Sequence, residues 1–292
     1  MGEEGSDPAW IAIDASKRGQ IRFATVTPGD VPVPGRVRSY DATLFPTFTD
    51  GLLRYQRDEN ISLRQRRSVI VIAGATAGEN IAISRSRWTI SRSGLRAMLE
   101  REPIILNDTG ARAWASLSGA TQQVDAVKGH GYAGLATRGR HAFLHLEEGL
   151  GTAIVDVDDA GATRIVETEA GHLDCPDATG GPPVSTAPKA DGPLSWEKAL
   201  MSDHPHRSAL LGRFVANLML ASGAWNGVVL SGSGAAQILS NGQQRSTFAN
   251  TFSEPRPFRR VLDAVPICLI EQKDPILLGA AAMIARRDHA PA

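Results

Sequence analysis

Cysteine is scarce in this sequence of 292 residues, in which Cys175 and Cys268 are the only two. Two thiols cannot build the multi-bridge framework of a small secreted domain or a zinc site with four cysteine ligands. A long apolar run is also missing, because the best candidate, residues 210–225, is interrupted by Arg213 and Asn217. A helix that spans a bilayer needs about 20 mostly apolar residues, so we expect no transmembrane segment.

Net charge is the second thing that the sequence lacks. Lysine plus arginine and aspartate plus glutamate both number 31. This balance argues against DNA or an anionic membrane as a partner, and the run Arg64, Arg66 and Arg67 is more typical of a solvated face. The opening stretch MGEEGSDPAW is acidic, unlike a signal peptide. We therefore expect a soluble cytoplasmic protein that binds neither nucleic acid nor membranes.

Apolar residues are plentiful, at 42% of the chain, which is enough for packed cores. Because a typical domain has about 150 residues, the length favours two domains. Strand and helix patterns alternate, which predicts an α/β fold with mainly parallel sheets, and we expect two related domains with a cleft between them. The predicted strands span 9–14, 20–26, 68–75, 80–84, 88–90, 103–107, 141–146, 153–157, 163–167, 227–231 and 265–271, and the predicted helices 45–59, 91–101, 111–117, 196–201, 208–223 and 275–287.

The first polar motif, Asn107-Asp108, follows one of these predicted strands and precedes a predicted helix. Ligands of parallel α/β sheets bind beyond the carboxyl ends of the strands. A carboxylate placed there can accept a proton from a substrate hydroxyl group. The alternative is that Asp108 only caps the helix, which is the commoner role for such an aspartate when the residues are judged alone.

The second motif places Glu169 and His172 three residues apart, with only alanine and glycine between them. A carboxylate accepts hydrogen bonds and an imidazole can donate or accept, so the pair suits vicinal hydroxyl groups. A plain surface turn is an equally good alternative. Zinc could be held by His172 and Cys175 with His204 and His206, but this signal is weak and we predict no metal site.

Two glycine-rich turns follow predicted strands, one at residues 147–152 and one at residues 231–234. Backbone N–H groups of such turns can cradle phosphate. In the first turn, however, Glu147 and Glu148 precede the glycines, and their carboxylates repel phosphate. A simple hairpin is the commoner structure for this pattern, and the short Gly-x-Gly of the second turn is weak evidence by itself.

Taken in order, these motifs resemble the bacterial glucokinase family, which belongs to the sugar kinase, hexokinase and actin-like superfamily. The resemblance runs from about Ile11 to Arg287. Within it, residues 169–174, EAGHLD, resemble the sugar loop E-G-G-H-x-D of the family. The other similar segments are residues 72–117, 145–155, 211–231 and 265–284.

The resemblance implies an α/β fold of two ribonuclease H-like domains, the actin-like ATPase or hexokinase fold. It implies mixed, mostly parallel sheets and an interdomain cleft. The small domain is expected at residues 9–117 plus 275–292, and the large domain at 118–274. Residues 1–8 are expected to form a disordered tail, and residues 175–193, which are rich in proline and glycine, a long loop.

The function that the resemblance implies is phosphorylation of glucose, or a related hexose, at its 6-hydroxyl group by ATP with Mg²⁺. By position, Asp108 corresponds to the base that takes the hydroxyl proton. Asn107, Glu169 and His172 correspond to ligands of the sugar hydroxyls, and Glu197 to a further sugar ligand. Members of the family are often dimeric, so a homodimer is an open expectation.

The resemblance also implies a nucleotide side, and the sequence departs from the family there. The first phosphate loop keeps Asp14 but lacks the paired glycines that follow it, and carries Lys17 and Arg18 instead. The second loop has Glu147-Glu148 where the family has Gly-Thr. A non-catalytic sugar-binding or regulatory protein is therefore the alternative function. The implied nucleotide-binding residues are Asp14, Gly149, Gly151, Thr152, Gly232 and Gly234.

Overall fold

The computed structural model separates into two compact units, unit 1 at residues 1–120 with 273–292 and unit 2 at residues 121–272. The expected tail at residues 1–8 and nearly all of the expected loop at 175–193 lie outside the described residues. The structure describes residues 10–26, 37–84, 86–118, 123–129, 134–175 and 194–288.

Strands and helices alternate along much of the described chain, as expected for the α/β class. The strands are β1 Trp10–Ala15, β2 Gln20–Val26, β3 Arg38–Asp41, β4 Ser68–Ile72, β5 Asn80–Ala82, β6 Thr89–Ser91, β7 Ile104–Asn107, β8 Gln123–Lys128, β9 Gly139–Leu146, β10 Leu150–Val157, β11 Thr163–Thr168, β12 Gly227–Ser231 and β13 Ile267–Glu271. The α-helices are α1 Phe48–Asp58, α2 Arg92–Leu99, α3 Asp108–Ser116, α4 Trp196–Met201, α5 Arg207–Ser222, α6 Ser233–Ile238, α7 Gly242–Phe252, α8 Arg259–Ala264 and α9 Pro275–Asp288. None of the described helices has the length and apolar character that crossing a membrane requires.

Unit 1 is built on a sheet in the order β3-β2-β1-β4-β7. Every residue of β1 and of β4 is buried, which explains why both read as continuous apolar runs. Helix α1 begins with a capping box, in which Thr47 and Asp50 satisfy each other's backbone N–H groups. The apolar side of α1, with Leu52 and Tyr55 fully buried, joins the core of the sheet.

Unit 2 is built on a sheet in the order β11-β10-β9-β12-β13-β8. Helix α5 carries more of the buried apolar residues of this core than any other described helix, and the ring centroid of Phe214 lies 5.4 Å from that of Trp196. Helix α7 packs closely on α5, because a Cβ atom added at Gly212 would lie 2.4 Å from the carbonyl oxygen of Phe248. The result is a second core that is separate in sequence from that of unit 1.

The expectation of mostly parallel sheets is wrong. Among the described strands, parallel pairing joins only β1, β4 and β7 in unit 1, and β9, β12 and β13 in unit 2. The remaining pairs are antiparallel. The reason is the length of the connections, because the few residues between β1 and β2, and between β9 and β10, allow a hairpin but not a crossover.

The closest helix contact of unit 1 joins α3 to α9. A Cβ atom at Gly279 of α9 would lie 1.7 Å from the carbonyl oxygen of Ala111 in α3. The guanidinium of Arg286 in α9 also donates to the carbonyl oxygen of Leu117, at 3.3 Å. The last helix of the chain therefore fixes the helix that begins at Asp108.

We expect the substitution Gly279→Ala to destabilise the protein, because the new methyl group collides with backbone that cannot move aside. Overpacking of this kind lowers the free energy of unfolding by about 1–3 kcal/mol. We expect a value near the top of this range, because the contact is with backbone. The matched control is Gly242→Ala at the start of α7, where an added Cβ meets no atom within 4 Å. Urea unfolding measures both. Equal midpoints for the two variants would show that α3 and α9 are not in tight contact.

Candidate functional site

The carboxyl ends of three parallel strands meet at one edge of the unit 1 sheet. Ala15 of β1 pairs with Ile72 of β4, which pairs in turn with Asn107 of β7. Asp14, Asn107 and Asp108 therefore lie at the same edge of the sheet. In open α/β sheets this edge is where ligands bind.

Asn107, rather than Asp108, caps helix α3. Its side-chain oxygen accepts a hydrogen bond from the backbone N–H of Gly110 at 2.6 Å, and the residue is only 6% exposed. The alternative in which Asp108 serves as the cap is therefore wrong. The Asp108 side chain is 30% exposed in the first turn of α3, with Oδ2 lying 3.9 Å from Nε of Arg112. This carboxylate is therefore partly accessible to a ligand.

Asp14 is almost fully buried, at 1% exposed, and both of its oxygens accept hydrogen bonds. Oδ1 accepts from the N–H and the hydroxyl of Ser16 at 2.9 and 2.6 Å, and Oδ2 accepts from Nε and Nη2 of Arg22 at 3.0 and 2.5 Å. Arg22 also donates from Nη1 to Asp274 at 2.7 Å. Burial lowers the pKa of Arg22, but Asp274 and Asp14 outweigh burial and leave that pKa above its ordinary value. The guanidinium therefore stays charged and neutralises Asp14.

The residues that follow Asp14 in the predicted first phosphate loop form a tight turn with exposed side chains. Lys17 and Arg18 are both exposed, and the N–H of Gln20 donates to the carbonyl oxygen of Lys17 at 3.2 Å. Gly19 adopts a φ of 71°, in the left-handed region that glycine tolerates best. The turn thus presents positive side chains in place of a bare glycine backbone.

Three residues of the predicted sugar set lie in unit 2, around Leu150. Oε2 of Glu197, in the first turn of α4, accepts a hydrogen bond from the backbone N–H of Leu150 at 3.2 Å. Nε2 of His172 lies 3.6 Å from Oε2 of Glu169, and both side chains are more than half exposed. The pair is therefore presented to solvent, whereas Glu197 also holds the first residue of β10.

Gly171 explains how the loop of Glu169 and His172 stays against β10. A Cβ atom at Gly171 would lie 2.6 Å from the carbonyl oxygen of Leu150. The same loop is tied to the start of α4, because the N–H of Trp196 donates to the carbonyl oxygen of Leu173 at 3.1 Å. Glu169, His172 and Glu197 are thus brought together within unit 2, while Asn107 and Asp108 belong to unit 1.

The predicted second phosphate loop is a hairpin, the commoner structure that the sequence left open. Leu146 and Leu150 pair as the last residues of β9 and the first of β10, and the N–H of Glu147 donates to the carbonyl oxygen of Gly149 at 3.1 Å. Thr152 is fully buried, and its hydroxyl donates to the carbonyl oxygen of Thr168 at 3.1 Å. That hydroxyl joins β10 to β11 rather than facing solvent.

Gly232 and Gly234 allow the end of β12 to lie against this hairpin. A Cβ atom at Gly232, where φ is 93°, would lie 2.3 Å from the carbonyl oxygen of Leu146, and one at Gly234 would lie 2.9 Å from the same atom. Packing of the protein on itself is therefore sufficient to explain both glycines. Gly151 lies opposite His145, its register partner on β9.

His145 is a residue that the sequence analysis missed. Its Nδ1 lies 2.9 Å from Oγ of Ser231, its Nε2 lies 3.4 Å from Oε2 of Glu147, and its side chain is 12% exposed. It thereby links the two glycine-rich turns of unit 2. The sequence places His145 only on a predicted strand, because its partners Gly151 and Ser231 are set by the pairing of β9 with β10 and β12.

Metal ligation receives no support from the described side chains. The rings of His204 and His206 lie 5.6 Å apart, but Cys175 is buried. Among the residues that the structure describes, no group of three or more His, Cys, Asp or Glu side chains could hold a metal ion. Magnesium prefers oxygen ligands, but both oxygens of Asp14 already accept hydrogen bonds within the protein.

Curated relatives resemble this chain along most of its length. The glucokinase of Xylella fastidiosa strain M23 is 24% identical over 318 residues, which cover 92% of this chain and 93% of the relative. The glucokinase of Stenotrophomonas maltophilia strain R551-3 is 26% identical over 315 residues, covering 90% and 91%. These identities are low, but the alignments span both units.

Solved structures show the same fold. A glucokinase from an Antarctic psychrotroph superposes with a TM-score of 0.67 at 18% identity, covering 95% of this chain and 99% of that one. The glucokinase of Balamuthia mandrillaris, solved in complex with glucose, gives a TM-score of 0.69 at 15% identity, covering 96% and 94%. The expected actin-like ATPase fold is confirmed by these likenesses.

Family membership rests on a sequence profile rather than on pairwise identity. The profile named Glucokinase matches residues 19–180 and 206–287 of the chain. The two matched ranges fall on both units and include the loops around Asp108 and Leu150. The chain therefore belongs to the glucokinase family.

Proposed function

We propose that this protein transfers the γ-phosphoryl group of ATP to the 6-hydroxyl group of glucose or a related hexose. The observation that carries the proposal is the position of Asp108, a half-buried carboxylate beyond the ends of parallel strands, at the start of a helix that Asn107 caps. A base in that position can accept the hydroxyl proton as the oxygen attacks phosphorus. A cytoplasmic location and a homodimer are further proposals from the family likeness.

Recognition of the sugar is assigned to Asn107, Glu169, His172 and Glu197. The exposed pair of Glu169 and His172 offers one acceptor and one group that can donate or accept. Glu197 keeps a second oxygen besides Oε2, which accepts from Leu150. Such a site selects a sugar by the hydroxyl groups that match its donors and acceptors.

A non-catalytic sugar-binding or regulatory protein is the second candidate function, and the nucleotide side favours it. Both oxygens of Asp14 accept internal hydrogen bonds, and Glu147 and Glu148 stand on the second phosphate loop. Phosphoryl transfer depends mainly on positioning and on electrostatic stabilisation of the phosphates. Poor positioning of ATP would leave a protein that binds sugar without turning it over.

Replacement of the base tests the catalytic role. We expect Asp108→Asn to lower glucose-dependent release of ADP by about 10²- to 10⁴-fold, the usual contribution of a general base, while glucose affinity stays within a few-fold. Coupled-enzyme kinetics and calorimetry measure the two quantities. Asp159→Asn, at a carboxylate 75% exposed in unit 2, is the control and should match the wild type. A variant at Asp108 that keeps full activity would refute the assignment.

Replacement of Glu197 tests the sugar side. Glu197→Ala removes an acceptor of a backbone hydrogen bond and a proposed sugar ligand, and a hydrogen bond to a charged group is worth about 1.5–3 kcal/mol. We therefore expect glucose to bind about 10- to 100-fold more weakly. Glu197→Gln, which keeps an acceptor oxygen for Leu150, should lose less. Calorimetric titration with glucose gives both values, and unchanged affinity in the alanine variant would remove Glu197 from the site.

Separate titrations distinguish the two candidate functions. A kinase binds both glucose and Mg-ATP and releases ADP only when a sugar is present. A non-catalytic sugar-binding protein gains thermal stability with glucose alone, because a ligand stabilises the folded state that binds it. Absence of turnover with every hexose tested would decide against the kinase.

A further inference from the structure

The imidazole ring of His145 lies close to the glycine-rich turns of unit 2. Gly151 on β10 and Ser231 on β12 are the register partners of His145 on β9, so the three residues lie side by side across the sheet. A Cβ atom at Gly232 would lie 3.0 Å from Cε1 of His145. The ring therefore lies close to Gly232, and His145 pairs with Gly151; both glycines were expected to face nucleotide.

The ring is also held in place from both sides. Nδ1 lies 2.9 Å from Oγ of Ser231, whose hydroxyl can in turn reach the carbonyl oxygen of Leu144 at 3.3 Å. On the other side Nε2 lies 3.4 Å from the carboxylate of Glu147. The side chain is only 12% exposed, so displacing it would break these contacts at once.

We propose that His145 closes the phosphate cradle of unit 2 with its own side chain and thereby weakens the binding of nucleoside triphosphates. This inference rests on the proposed function only in assuming that residues 147–152 and 231–234 face the phosphates. His145 is then the residue that sets the affinity for nucleoside triphosphates. A phosphate group can approach the glycine backbone only after the ring has moved, and that displacement reduces the observed affinity.

The test separates the effect of the His145 ring from the effect of the negative charge on Glu147. Removal of His145 alone would take this contact away from Glu147. Repulsion between the Glu147 carboxylate and the phosphates would then change the measured affinity. The reference protein is therefore Glu147→Gln. It is compared with two double variants, His145→Ala/Glu147→Gln, which removes the ring, and His145→Phe/Glu147→Gln, which keeps an aromatic ring of similar size. Glucose titration and thermal melting confirm that each is folded.

Calorimetric titration with Mg-ATP gives the result. We expect the alanine double variant to bind Mg-ATP at least tenfold more tightly than Glu147→Gln, and the phenylalanine double variant to bind no more tightly than that reference. Equal affinities for the alanine double variant and the reference would overturn the proposal, as would the absence of measurable binding by all three proteins. Binding is measured without turnover, so a failure of the kinase proposal would show separately as absent ADP release.

Discussion

The buried charge of Asp14 is the constraint on which unit 1 depends. A carboxylate without a partner is unstable in the core of a sheet, and Arg22 supplies that partner from the neighbouring strand while reaching Asp274 just ahead of α9. The two contacts join the start of the chain to its last helix. That helix lies in near backbone contact with α3 at Gly279, and α3 carries Asp108. The position of the proposed base therefore follows from a charge pair formed elsewhere in the unit.

The two sides of the proposed reaction differ in how their polar groups are used. On the sugar side, Glu169 and His172 are more than half exposed, so they remain accessible to hydroxyl groups. On the nucleotide side, Asp14, Thr152 and His145 already have internal partners at hydrogen-bond distance.

Much of the fold follows from local pattern. The strand 227–231 matches its predicted bounds, and the helix predicted at 91–101 is observed as Arg92–Leu99, with Ser91 as its N-cap. Strands β3 and β8 and helices α6 to α8 were not predicted, because both strands lie at sheet edges and the three helices are short or weakly amphipathic. The contacts of His145 could not be predicted because they depend on strand register. The sequence places His145 on a strand, but only the pairing of β9 with β12 brings it to Ser231.

The discontinuous order of unit 1 has a consequence for synthesis on the ribosome. Residues 121–272 form a complete unit before α9 has been made, whereas the first sheet must wait for Pro275–Asp288 to cover it. Domains generally fold as they emerge, so unit 2 can reach its native state while the first 120 residues still expose an apolar face. Contacts between the two ends of a chain also slow folding, because closing so large a loop costs entropy. The nascent protein is therefore most vulnerable to aggregation through its N-terminal sheet.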